Sequence, residues 1–208
     1  ASFMPAIREV CDRHGILLIA DEVITGFGRT GSWSGSRLWG VQPDIMCIAK
    51  AITSGYFPLG AALINERIAT AFETDSSGKA AIGHGYTYSG HPVGAAAALA
   101  AIAETRRLDV VTNAAARGTQ LYDGMVSLAG QYPVVGDVRG GHGLMTAMEL
   151  VADRETKAPI DGKLTIKMQK AAYQAGALIR VSGPNVILSP SLIIEEADID
   201  IALNAVEA

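Results

Sequence analysis

Apolar side chains recur along the first half of the chain at helical spacing and in short unbroken runs, by turns. After Pro5, which suits a first helical turn because its missing donor would be unpaired there anyway, Ile7, Val10 and Cys11 mark one helical face from Ala6 to His14, and Gly15 ends it. Ile16 to Ala20 is a continuous apolar run, the pattern of a strand buried on both faces of a parallel sheet, and it terminates in Asp21-Glu22. Val23 to Val41 is rich in Gly and Ser and carries Phe27, Trp33 and Trp39, which predicts a long loop with aromatic anchors and a helical turn. Loops of that length in compact domains are usually functional. A second buried strand, Ile45 to Ala49, follows Pro43-Asp44 and ends in Lys50. Gly60 to Ile64 is a third apolar run, Glu66 to Phe72 reads as a short helix, and Glu73 to Gly90 as another long loop. The Ala-rich stretch from Pro92 to Arg107 and the segment from Val110 to Gly130 are helices.

The pattern changes near Pro133. Val134 to Val138, Leu144 to Leu150, Leu178 to Val181 and Val186 to Leu188 read as strands, and Leu164 to Gln174 and Ala197 to Val206 as helices. Strands and helices no longer alternate, so residues 133–208 are expected to form a small α+β domain after an α/β portion over residues 1–132.

Composition narrows the partners. The 208 residues are 49% hydrophobic and 18% charged, enough apolar material for a substantial core in a soluble globular protein. A formal net charge of −4 without a basic run leaves no electrostatic footprint for nucleic acid or an anionic membrane, which points to small-molecule partners. No apolar stretch reaches the ~20 residues that span a bilayer, and no signal-peptide pattern opens the chain, so the cytoplasm is the expected compartment. Cys11 and Cys47 lie in apolar stretches without CxxC spacing and read as free thiols.

Candidate chemistry sits at the strand ends. Ligands of open parallel sheets lie beyond the carboxyl ends of the strands, and both Asp21 and Lys50 fall there. An amine at a partly desolvated pocket mouth has the lowered pKa that Schiff-base chemistry needs. A carboxylate one crossover earlier suits a pyridine nitrogen that must stay protonated. On spacing alone an alternative stands beside this: Asp21 capping a loop and Lys50 a surface residue ending a strand.

Three blocks bear on that choice: LIADEVITGFGRTG from Leu18 to Gly31, PDIMCIAKAITSGYFPLGA from Pro43 to Ala61, and HGYTYSGHPVGAAAA from His84 to Ala98. In order and separation they resemble the class III, subgroup II (ω-amino acid) aminotransferases of fold type I, nearest to the β-alanine or ω-amino acid:pyruvate type. The resemblance implies an α/β fold, with residues 1–132 the later part of the large cofactor-binding domain and residues 133–208 the small domain. It implies pyridoxal 5′-phosphate, with Asp21 on the ring nitrogen, Val23 against one ring face, and Lys50 forming the internal aldimine and then moving protons as a general base. Thr87 matches the threonine that binds the cofactor phosphate across a homodimer interface. Arg180, in ALIRVSGPNVILSPSL from Ala177 to Leu192, matches the arginine that takes the keto acid's carboxylate, a task suited to a planar guanidinium.

Other features are read as structural. His84 and His91 lack metal-ligand companions, and no metal is expected. Gly140-Gly141-His142-Gly143 does not follow the strand-loop-helix order of a phosphate loop. Arg29 is expected to brace the loop carrying Trp33, and Tyr86 and Trp33 to line the pocket or pack. Ile24 stands where relatives acting on ornithine or 4-aminobutyrate often carry Gln, which favours the pyruvate type. Ser191 replaces a usual second proline.

No segment matches the family's N-terminal half, which supplies further phosphate contacts and the aromatic over the other ring face. The 208 residues alone are therefore expected to bind cofactor weakly or not at all, to be inactive, and to expose apolar surface. Transamination between an amine or ω-amino acid and pyruvate is the leading expectation. The alternatives are an aminomutase such as glutamate-1-semialdehyde aminomutase, another pyridoxal-phosphate reaction on this fold, or an inactive fragment serving as an interaction module.

Overall fold

The structure, a computed structural model, describes residues 3–85 and 87–208. Tyr86 lies outside the described residues. The chain divides into two compact units, one of residues 1–27 with 32–108, the other of residues 28–31 with 109–208.

The first unit opens with α1 (Phe3–His14), which ends at Gly15 in the left-handed region. β1 (Ile19–Asp21) follows, then a loop containing the short helix α2 (Gly35–Leu38), capped by Ser34. β2 (Ile45–Ile48) runs parallel to β1, with Ile19 opposite Ile45 and Asp21 opposite Cys47. A 3-10 turn over Lys50–Ile52 leads to β3 (Ala61–Ile64), which pairs antiparallel with β2. Asn65 caps α3 (Glu66–Glu73), and His91 caps α4 (Pro92–Arg107). Ile48, Ile52 and Ala98 form the buried centre, with Phe27, Met46 and Leu59 packed against them. At the amino end of β2 the buried Asp44 accepts hydrogen bonds from Arg8 Nη1 (2.9 Å), the Leu18 amide (2.8 Å) and Asn65 Nδ2 (2.9 Å). One carboxylate thereby ties α1, the approach to β1 and the start of α3 together, and frees the opposite end of the sheet for other work.

The third strand is antiparallel, so this sheet is mixed. One expectation is corrected here. The apolar runs are not buried on both faces: Ile16 and Ile19 are 53% and 58% exposed, and every residue of β3 is exposed. The runs record a burial that no element among the described residues supplies.

In the second unit, α5 (Val110–Gln131) packs on a sheet of antiparallel neighbours. Its strands are β4 (Val135–Arg139), β5 (Thr146–Asp153), the short β6 (Ala158–Pro159), β7 (Arg180–Ser182) and β8 (Asn185–Leu188). The order is β4-β5-β8-β7, with β6 on β5. Helices α6 (Gly162–Gln174) and α7 (Glu196–Glu207) complete the unit. Ala114, Leu121 and Met125 of α5 pack into one core with Met148, Val186 and Ile199. The division by packing thus falls at Leu108/Asp109, one helix earlier than the change in sequence pattern near residue 133. Pattern marks where helix gives way to strand, whereas packing follows the helix's buried face.

Candidate active site

Parallel pairing brings the carboxyl ends of β1 and β2 to one edge, about 4.8 Å apart across the ladder. Asp21 is the last residue of β1, and Lys50 follows Cys47, its cross-strand neighbour, by way of Ile48 and Ala49. Asp21 is exposed, and its Oδ1 accepts the Val23 amide at 3.1 Å, which orients the carboxylate and leaves Oδ2 unengaged among the described residues. Val23 is half-buried beside it.

Lys50 begins the 3-10 turn with φ +47°, in the left-handed region where a side chain other than glycine is strained. Strain of this kind costs on the order of 1–3 kcal/mol and persists only where the surroundings enforce it. The surroundings are specific: Ile48 and Ile52 on either side are buried, and Thr53 Oγ1 donates to the Phe57 carbonyl at 2.6 Å, closing the loop that follows. The Lys50 amine is exposed and has no hydrogen bond or ion pair among the described residues. The exposed position of Lys50 departs from the desolvated pocket mouth expected around it: among the described residues of this unit none buries the amine.

Thr87 lies in the exposed turn before α4 and bonds to neither Asp21 nor Lys50. That turn is tied to the loop after Lys50 through His91, whose ring lies 5.2 Å from that of Phe57 and whose Nδ1 accepts the Val93 amide.

Sequence reasoning passed over Glu22. Successive strand residues face opposite sides, so Asp21 points out and Glu22 points in, where it is 3% exposed. Its Oε1 accepts from the Ser36 amide (2.6 Å) and the Ser36 hydroxyl, and its Oε2 from the Gly35 amide (2.8 Å) and the Thr25 hydroxyl. Burial alone pushes this carboxyl up, but the hydrogen bonds from Ser36, Thr25 and Gly35 outweigh it and hold the group below the ordinary carboxylate range. The Phe27 amide donates to the Trp33 carbonyl (2.8 Å), and the Arg106 guanidinium lies 5.5 Å from the centre of the Trp33 ring, so the loop is closed by three separate ties. The signal for Glu22 was the acidic doublet itself at a strand end.

In the second unit Arg180 opens β7, opposite Ile187. Pairing places Arg139, Ala147, Ile187 and Arg180 in one row across the sheet. Arg139 is engaged by Glu149 (2.8 Å), Asp137 (3.2 Å) and Asn185, whereas the exposed Arg180 side chain has no polar partner among the described residues. Arg29, expected to brace the Trp33 loop, instead donates through Nη1 to the carbonyls of Leu144 and Pro190, each at 2.7 Å. Its role is structural, within the second unit, and burial lowers its pKa.

Comparison with known proteins bears on the whole chain. The family model described as aminotransferase class-III matches residues 1–208. The taurine–pyruvate aminotransferase of Bilophila wadsworthia is 40% identical over 208 residues, covering 96% of this chain and 45% of that protein. The putrescine–pyruvate aminotransferase of Pseudomonas aeruginosa is 36% identical over 200 residues, covering 96% of this chain and 43% of that one. Among solved structures, an amine transaminase from an uncultivated Pseudomonas species, in a PLP-bound form, superposes with a TM-score of 0.95 at 50% identity, covering 100% of this chain and 47% of its own. The chain thus spans under half the length of the relatives it matches.

Proposed function

The chain belongs to the class-III aminotransferases, and on that premise we propose that the protein carrying it transfers an amino group from an amine or ω-amino acid to a keto acid such as pyruvate. The carrying observation is the pairing of an unengaged amine, Lys50, with a carboxylate oriented through one oxygen, Asp21, at the carboxyl ends of adjacent parallel strands. These groups fit pyridoxal phosphate: one end of the site offers a nucleophile, the other an anion for a ring nitrogen.

Pyridoxal phosphate, when bound, supplies an electron sink for the bond broken at the amine carbon. Asp21 holds the proton on the ring nitrogen, and Val23 packs against one ring face. Lys50 would hold the cofactor through its Nζ, and the same amine, when free, would be the base that moves a proton off the substrate carbon. Arg180, whose exposed side chain has no polar partner among the described residues, takes the keto acid's carboxylate. Thr87, exposed in this chain, binds the cofactor phosphate of a second subunit, which makes the protein a homodimer or a dimer of dimers with shared sites. In this proposal residues 1–132 belong to the large cofactor-binding domain and residues 133–208 to the small one. No helix among the described residues is long and apolar enough to cross a membrane, and the cytoplasm is the proposed compartment.

The test is a pair of half-reactions on the full-length protein with pyridoxal phosphate. An amine donor bleaches the visible band and releases one equivalent of carbonyl product; pyruvate restores the band and yields one equivalent of alanine. Turnover of the amine without alanine formation would reject transamination.

A further inference from the structure

We propose that Glu22 is a positioning residue for the cofactor site: by gathering the far end of the loop onto the end of β1, it fixes the direction in which Asp21 and Val23 point. The inference rests on the reading of Asp21 and Lys50 given under Proposed function.

Glu22 is joined to Asp21 by one peptide bond, so any rotation of its backbone is passed to the Asp21 carboxylate and to the Val23 amide that orients it. Its carboxylate is buried with four donors on two oxygens, drawn from Thr25, Gly35 and Ser36. The Gly26 amide also donates to the Glu22 carbonyl at 2.9 Å, so both the side chain and the main chain of this residue anchor the loop. With its acceptors consumed and no open face, Glu22 cannot itself meet a ring nitrogen. The doublet therefore divides the labour: Asp21 turns outward to ligand, Glu22 turns inward to hold it there.

The charge matters beyond size. Each Glu22 oxygen receives one backbone N–H, Ser36 on Oε1 and Gly35 on Oε2. A glutamine must set its NH₂ against one of these, and a backbone N–H cannot turn to accept, whereas a hydroxyl can. Glu22→Gln thus opposes two donors inside the loop whichever way the amide lies.

The experiment uses the full-length protein with pyridoxal phosphate and compares wild type, Glu22→Gln, Thr25→Val and Asp44→Asn. Three quantities are read: the cofactor dissociation constant, the pH at which the visible band titrates, and the unfolding midpoint. Asp44 is the control, a buried hydrogen-bonded carboxylate at the opposite end of β2. Glu22→Gln is expected to weaken cofactor binding on the order of tenfold, the lower range for losing a hydrogen bond to a charged group. It should also move the band's titration upward, since a less firmly protonated ring nitrogen repels a proton on the Lys50 nitrogen less. Thr25→Val, which removes a single hydroxyl donor, moves both readouts in the same direction by less, and decides the matter if Glu22→Gln does not fold. Asp44→Asn lowers the midpoint and leaves the other two unchanged. The inference is overturned if the Glu22 and Thr25 variants behave like Asp44→Asn. If wild type itself neither binds cofactor nor shows the band, the reading of Asp21 and Lys50 fails first, and this inference with it.

Discussion

Replacing Gly143 by alanine tests why the Gly-rich turn over residues 140–143 exists. Gly143 has φ +63°, and a Cβ there would stand 2.3 Å from the Arg29 carbonyl oxygen and 2.4 Å from both the Gly31 nitrogen and the Thr30 carbonyl carbon. From α5, a Cβ on Gly118 would meet the Gly143 carbonyl oxygen at 2.2 Å, so three backbones converge where side chains do not fit. The left-handed conformation costs a Cβ-bearing residue roughly 1–2 kcal/mol, and overpacking adds about 1–3 kcal/mol, since the obstacles are main chain and cannot swing aside. The sum, about 2–5 kcal/mol, corresponds to a fall of roughly 4–20 °C in the midpoint of a cooperative unit of about 150–250 residues. Two companions separate the causes. Gly183→Ala, with φ +56° and no heavy atom within 4 Å of the added carbon, carries the conformational cost alone. Gly130→Ala, inside α5 with nothing within 4 Å, stabilises by about 0.5–1 kcal/mol through helix propensity. Scanning calorimetry should rank Gly143→Ala lowest, then Gly183→Ala, wild type and Gly130→Ala. Equal midpoints for the first two would refute the packing argument and reopen the turn to a ligand-binding role.

Arg180→Ala should lower kcat/KM for pyruvate by about 10–100-fold, the value of a charge-assisted hydrogen bond, while an uncharged aldehyde acceptor is used as before; equal losses for both acceptors would remove Arg180 from carboxylate binding. Acid should unfold the protein through Glu22 and Asp44. Both carboxyls are held below their ordinary values of 4.5 and 3.8, so the stability they contribute is whole above those values and is lost as pH falls through the lowered ones. The unfolding midpoint should be level between pH 6 and pH 5 and drop below about pH 4.5, and the drop should be shallower in Asp44→Asn; an unchanged slope there would assign the acid sensitivity elsewhere.

Much of the frame was legible because it depends on local pattern. Unbroken apolar runs ending in Asp21 and Lys50 located the two strand ends, and helix propensity gave the helices over Pro92 to Arg107 and Val110 to Gly130. What escaped depends on through-space geometry. The direction of β3 is set by its partner and leaves no mark in four apolar residues. The left-handed φ of Lys50, between the buried Ile48 and Ile52, leaves no mark in the sequence, since lysine has no preference for that region. Arg29 reads as loop bracing from its neighbours in sequence, yet its acceptors, Leu144 and Pro190, are more than a hundred residues away. Glu22 was passed over because an acid after a strand ordinarily faces solvent, and only the folded loop brings Gly35 and Ser36 back to it.

Covalent capture at Lys50 tests the central claim most directly. The full-length protein is incubated with pyridoxal phosphate, reduced with borohydride, digested and mapped by mass spectrometry. A phosphopyridoxyl group on Lys50, and none in Lys50→Ala, is the predicted result. A label confined to another lysine, or none with cofactor bound, would contradict it.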